Sequence, residues 1–456
     1  MSLSSLTFLG IYFPILLIVY YNPFWRSNTI RKAVLFCASL GLYIICEPIY
    51  FFLLIGLILI NYLLVKISDK TSKDFYRVLA ILVDSGVLLF FKYINKVLSY
   101  AIIHKDISEI VFPIGLSYFS FKAISYVVDS KQNKEGTFFD AVIYISNFLT
   151  IVSGPISTYQ DELPMIRVRK EASWDTVYGG IERLVSGLAK KVIIADSLSY
   201  LVRNVFSASD PSCVMAWAGA VAYTFQLFFD FSGYTDMAIG IGLLFGFKLP
   251  ENFNYPYMAS SISEFWKRWH MSLTKWFTRY IYIPLGGSRV KTVARHIFNL
   301  MVVWFVTAIW HGSNITFVLW ALIYFVLQTI EKYTGLAKFV NKLHIGHVYT
   351  MVVVIVDWVI FRSASVGEAL YFIKTMFMLR GNAFIEANDL QTISYYTIPL
   401  LLGVVLSTNI GVKIRDKLYK NNMTRGVYLF AMFGMYLLCM IITISQGYSA
   451  PLYAGF

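Results

Sequence analysis

His311 closes an apolar run, Val302-Val303-Trp304-Phe305-Val306-Thr307-Ala308-Ile309-Trp310, and is followed at once by Gly312. An ionisable side chain at membrane depth is costly, and by default it faces a bundle interior or a wet cavity with a function. Helical spacing puts Trp304, Thr307, Ala308 and His311 on one face. A neutral imidazole there can take the proton of an attacking hydroxyl or thiol. Gly312 would let another backbone or a substrate come close. The competing reading is a structural histidine bonded to a neighbouring helix.

His270 is the second candidate. It lies in Ser263-Glu264-Phe265-Trp266-Lys267-Arg268-Trp269-His270-Met271-Ser272-Leu273-Thr274-Lys275-Trp276-Phe277, which alternates aromatic with basic residues. Phe265, Trp269, Ser272 and Trp276 recur at helical spacing, which predicts an interfacial amphipathic helix, aromatic side down and basic side toward phosphates. Lys267, Arg268 and Lys275 beside aromatic planes would also suit a phosphorylated, nucleotide-bearing acyl donor. His270 itself can be catalytic or can simply pack. Asp230 and Asp236 interrupt another apolar run and must be paired, neutralised or hydrated. They can line a polar tunnel, orient a histidine, or tie helices together. His104, His296, His344 and His347 lie in polar or loop-like surroundings and receive no role. No HxxxH or HExxH pattern occurs, so no metal site is expected. Cys37, Cys46, Cys213 and Cys439 lack ligand or disulfide spacing and read as packing residues. Pro284-Leu285-Gly286-Gly287-Ser288-Arg289 reads as a turn, not a phosphate cradle.

The elements that must position these groups are membrane helices. Of 456 residues 57% are hydrophobic and only 14% charged, with a mean hydropathy of +0.62. Soluble domains carry about 25% charged residues, so this chain has too little charge to cover a large soluble surface. Apolar runs at 6–21, 33–65, 78–91, 112–128, 141–156, 214–247, 298–310, 315–330, 349–361, 397–406 and 427–444 predict about 10–12 membrane segments, some of them re-entrant. The first run has neither a basic flank before it nor a cleavage site after it, and is not a signal peptide.

The net charge of +13 resides in short loops, so a positive-inside bias explains it and nucleic acid is not an expected partner. Arg26, Arg31 and Lys32 place the first loop in the cytoplasm; Lys66, Lys70, Lys73 and Arg77 return the chain there after a hairpin with Glu47 and Pro48 at its tip. Lys92, Lys96 and Lys105 break simple alternation. The stretch 250–295 holds Lys267, Arg268, Lys275, Arg279, Arg289, Lys291 and Arg295 against Glu251 and Glu264, a cytoplasmic signature. With no internal repeat and no appended soluble domain, residues 1–456 read as a single integral membrane domain.

Several motifs, in order, resemble the bacterial membrane-bound O-acyltransferases, and within them the alginate O-acetylation type. They are Phe112-Pro113-Ile114-Gly115-Leu116-Ser117-Tyr118, Ser153-Gly154-Pro155-Ile156, Phe229-Asp230-Phe231-Ser232-Gly233-Tyr234-Thr235-Asp236-Met237-Ala238-Ile239-Gly240, Phe265-Trp266-Lys267-Arg268-Trp269-His270-Met271-Ser272-Leu273, Tyr282-Ile283-Pro284-Leu285-Gly286-Gly287, Trp310-His311-Gly312 and Trp358-Val359-Ile360-Phe361-Arg362. The resemblance covers nearly the whole chain. It implies an all-α polytopic protein, a ring of membrane helices around a central funnel or tunnel. The family's key histidine falls on His311 and its second on His270.

What the resemblance implies for function is acetyl transfer from a cytoplasmic thioester, most simply acetyl-CoA, with no bound cofactor. The final acceptor would be an exported polysaccharide, reached directly or through a separate extracytoplasmic acetyltransferase, from a multi-pass protein of the bacterial cytoplasmic membrane. His311 would be the general base. His270 would polarise the carbonyl, relay protons or position the donor. Trp304, Thr307, Trp269, Asp230 and Asp236 would line the donor site or tunnel, and Lys267, Arg268 and Lys275 would meet the donor's phosphates. Tyr282–Gly287 favours this branch over the related one that D-alanylates teichoic acids. The rival from another class is a transporter or flippase using Asp230, Asp236 and His311 as a midplane path.

Overall fold

Apolar runs with no water to satisfy their backbone must close their hydrogen bonds internally. In the computed structural model, all regular structure among the described residues is accordingly helical. The description covers residues 2–24, 27–100, 110–133, 135–168, 173–419, 422–447 and 450–452; Arg26, His104 and Lys105 lie outside it. Seven described helices are long and apolar enough to cross a membrane, or eight if the pair Thr397–Leu406 and Ile410–Leu418, bent by 78°, is one span. The chain is a multi-pass membrane protein.

The other predicted segments form shorter helices. The run at 112–128 starts its helix only at Leu116, because Pro113 and the left-handed Gly115 (φ 79°) occupy its entry. The run at 141–156 is helical only over Phe138–Ile145. Beyond it the Asn147 side chain accepts from the Leu149 N–H, and the irregular chain passes through Gly154 and Pro155.

The chain packs as two compact units. One comprises Met1–Ser186, Tyr234–Glu251 and Gln446–Phe456; the other, Gly187–Gly233 and Asn252–Ser445. In the first, Gly180 and Gly240 let two helices meet backbone to backbone: a Cβ on Gly180 would stand 2.8 Å from the Gly240 carbonyl oxygen. Its buried polar core is the Lys122–Glu162 pair (2.9 Å), with Thr150 and Asn147 bonded to the two partners.

Six helices matter for the second unit and are labelled here: α1 (Cys213–Leu244, whose last residues from Tyr234 belong to the first unit), α2 (Ile262–Arg268), α3 (Met271–Phe277), α4 (Val293–His311), α5 (Ile315–Thr334) and α6 (Gly346–Arg362). Thr292 caps α4 by accepting from the Arg295 N–H (3.2 Å), and Gly335, at φ 75°, ends α5. Glu331 of α5 accepts from the Ile262 and Ser263 N–H groups at the start of α2 (2.7 and 2.8 Å).

Helices α4 and α5 run antiparallel. Lys332 Nζ and the Tyr333 hydroxyl reach His296 (3.0 and 2.6 Å), Trp304 bonds Gln328 (3.2 Å), and the far end of α4 meets Trp320. Helix α6 begins beside Ala259, where His347 Nδ1 is 3.3 Å from the carbonyl oxygen, and ends beside His311. One end of this three-helix layer therefore carries the basic loop, and the other carries His311.

Candidate functional site

His311 is the last residue of α4, 5% exposed, inside a box of rings. Trp310 stands 4.4 Å away, Trp320 4.9 Å, Phe361 5.1 Å and Phe317 6.0 Å between centroids. Gly312 leaves the helix at φ 152°, a conformation suited to glycine, and a Cβ there would lie 2.9 Å from Phe317 Cε2. Trp304, Thr307 and Ala308 are buried with His311, as their common helical face requires. The Thr307 hydroxyl is turned back onto the Val303 carbonyl (2.7 Å).

His270 sits where the aromatic–basic stretch breaks. The predicted continuous amphipathic helix does not form: α2 ends at Arg268 and α3 starts at Met271, with His270 left-handed at φ 46° between them. Asn252 holds this break. Its carbonyl accepts from the Met271 N–H (2.9 Å), and its side-chain oxygen accepts from the Ser272 N–H and hydroxyl (3.3 and 2.8 Å). That oxygen also meets His270 Nδ1 at 2.9 Å, so Nδ1 carries the proton and Nε2 the lone pair. Burial pushes the imidazole down to about 3, so the ring is neutral across the physiological range. The aromatic side of the stretch packs into protein: Trp269 lies against Phe253 (5.1 Å), Phe265 (5.6 Å) and Trp358 (5.0 Å).

The two histidines share Trp310, whose ring is 6.3 Å from His270 and 4.4 Å from His311. A second route joins Trp269 to Trp358, and Trp358 to Phe361 (5.4 Å) and so to His311. The other expected lining residues are dispersed. Asp230 forms a buried ion pair with Lys191 (2.8 Å), which also bonds Asp196. Asp236, in the other unit, is held by Arg183 (2.8 Å), which Glu251 shares. Arg268 is forked onto Glu264 (2.7 and 3.0 Å), while Lys267 and Lys275 are exposed.

Three residues escaped the sequence reading. His296 is not in loop-like surroundings; it is buried in the first turns of α4, with Tyr282, Lys332 and Tyr333 on its two nitrogens. Asn252 carried no local signal, since its partners are 18 and 20 positions away. Asp357, 2% exposed on α6, did carry one: it is the carboxylate within the apolar run 349–361.

The model of the membrane-bound O-acyltransferase family matches residues 89–372. The chain is 34% identical to the probable alginate O-acetylase of Pseudomonas aeruginosa over 394 residues, 83% of this chain and 75% of that protein. It is 31% identical to the peptidoglycan O-acetyltransferase of Helicobacter pylori over 400 residues, covering 78% and 75%. It also matches the teichoic acid D-alanyltransferase of Bacillus subtilis, at 31% identity over 261 residues, 54% of this chain and 65% of that one.

Proposed function

Because this chain belongs to the membrane-bound O-acyltransferase family and is an acyltransferase, we propose that it moves an acetyl group from a cytoplasmic thioester, acetyl-CoA in the simplest case, toward an exported polysaccharide. The observation that carries the reading is His311: an imidazole sealed in aromatic rings at the end of the layer opposite the basic loop. Water is kept from a thioester carbonyl there, while a hydroxyl arriving from that end can hand its proton to the ring as its oxygen attacks. His270, neutral with its lone pair on Nε2, is suited to holding or relaying a proton beside Trp310, the ring it shares with His311. Lys267 and Lys275, the exposed cations of this stretch, would meet the donor's phosphates together with Arg268, which is forked onto Glu264. Trp269, Trp304 and Thr307 would line the approach; Asp230 and Asp236, each in its own ion pair, would hold the helices of their own units in register.

Relatives that acetylate alginate or peptidoglycan favour acetyl over D-alanyl transfer here, since their similarity spans more of the chain. A separate extracytoplasmic acetyltransferase would finish the delivery. We take residues 1–456 as one acyltransferase domain of the bacterial cytoplasmic membrane.

The test is release of CoA from acetyl-CoA by purified protein in nanodiscs, with alginate oligomers or peptidoglycan fragments and any partner present. His311→Ala is expected to lower turnover by about 10²–10⁴-fold while leaving yield and thermal midpoint near wild type. A variant that loses yield but keeps specific activity would remove His311 from the chemistry.

A further inference from the structure

Asp357 is a buried carboxyl group that the proposed chemistry leaves unused. It is 2% exposed, and neither of its oxygens completes a hydrogen bond among the described residues; the Tyr324 hydroxyl is the polar group that acts on it. No cation among the described residues offsets it. A fully buried ionised carboxylate with no counter-charge would cost several kcal/mol, so the neutral acid is the form this pocket suits.

Its position is set by the two helices that flank it. Phe361 lies four residues beyond Asp357 on α6, and Trp320 four residues before Tyr324 on α5; both rings pack on His311. Asp357 and Tyr324 are therefore about one turn, roughly 6 Å, from the His311 layer. The displacement is toward the ends of α5 and α6 that hold Lys332 and Gly346, on the side of the basic loop. Tyr324 also packs on Trp266 (4.9 Å) and Trp304 (5.7 Å), so the pair lies between the aromatic–basic segment and His311.

Resting on the acyl-transfer reading, we propose that Asp357 is the general acid that protonates the leaving thiolate. The acceptor O–H bond breaks as its oxygen bonds to the thioester carbonyl carbon, and the proton passes to His311. The C–S bond then breaks, and the sulfur takes the proton of the Asp357 carboxyl group. Before the next turnover His311 gives up the proton it took and the Asp357 carboxylate takes one back, with the Tyr324 hydroxyl the polar group beside that carboxylate. Thioester and alcohol become ester and thiol with no net proton gained or lost. Proton entry at His311 and proton exit one turn nearer the basic loop fit an acceptor and a donor that come from opposite ends. An alkyl thiolate expelled into an aromatic box is poorly solvated, which is why an acid is needed there.

The test uses two donors in single-turnover measurements: acetyl-CoA, whose thiol is a weak acid, and S-(4-nitrophenyl) thioacetate, whose thiolate leaves without a proton. Asp357→Asn is expected to slow the first by roughly 10²-fold or more and the second by less than about threefold, while Asp357→Glu keeps much of the first. Equal losses on both donors, or no loss on either, would overturn the proposal. Should the Asn variant not fold, the wild type still decides: its rate should vary little with thiol acidity, and a steep dependence would overturn the assignment. No turnover of either donor by wild type would instead overturn the acyl-transfer reading itself.

Discussion

His270 combines a strained backbone with a neutral ring, and each has a structural cause. The left-handed φ of 46° costs a non-glycine residue of order 1–3 kcal/mol, and Asn252 holds it through four hydrogen bonds that fix the break between α2 and α3. Burial lowers the imidazole to about 3, against about 6.5 in an unfolded chain. The unfolded state therefore binds the proton first. Folding stability is lost progressively as pH falls from about 6.5 toward 3, by on the order of 2–3 kcal/mol at about pH 4.5. His270→Gln, which cannot titrate, should flatten that part of the dependence. Thermal unfolding in detergent at several pH values measures it, and an unchanged acid slope in the variant would count against a buried neutral His270. His311 was legible because an apolar run makes its imidazole conspicuous. Asp357 had the same signal, but one acid among β-branched residues is outweighed by the motif that follows it. The partner that sets the His270 tautomer was not legible at all, because only the folded chain brings Asn252 to it.

At the scale of elements, the exit of α4 decides where His311 points. Gly312 takes φ 152°, and any side chain there meets the Phe317 ring at 2.9 Å. Gly312→Ala should shift His311 within its aromatic box, and a misplacement of about 1 Å can cost 10²-fold in rate. Turnover is expected to fall by about that factor with helical content by circular dichroism unchanged. Adding Phe317→Ala should restore part of it, since the collision goes but the backbone strain stays. Wild-type turnover in Gly312→Ala would mean that the exit does not position His311 for the proposed proton transfer. Helices α4 and α5 could be read directly from their apolar runs. The break at His270 could not, because Phe265, Trp269, Ser272 and Trp276 keep helical spacing straight across it; a tertiary bond from Asn252 overrides local pattern. Likewise the runs at 112–128 and 141–156 are apolar enough for spans, yet Pro113, Gly115 and Asn147 claim their backbone for turns.

For the molecule as a whole, charge and hydropathy were sufficient to identify a membrane protein, and the order of α4, α5 and α6 adds a polarity to it. The basic residues Arg289, Lys291 and Arg295 belong to one end of that layer and His311 to the other. A transferase working as proposed would keep the thiol on the side where the donor binds and deliver only the acyl group to the far side. A transporter with the same polar islands would instead carry an intact solute through. Proteoliposomes loaded with acceptor oligosaccharide, and given radiolabelled acetyl-CoA outside, separate these cases. Vesicles whose basic face points outward should accumulate free CoA outside and ester-linked acetyl inside, in equal amounts, with no intact acetyl-CoA in the lumen. Equal amounts follow from stoichiometry, because each C–S bond broken must correspond to one ester bond formed unless water takes the acetyl group as free acetate. Free acetate in place of ester would point to water as the acceptor, and a partner acetyltransferase added before acetyl-CoA should then divert the acetyl group to ester at the expense of acetate. Labelled solute inside without CoA outside would place the polar islands in a transport path, and His311 with them.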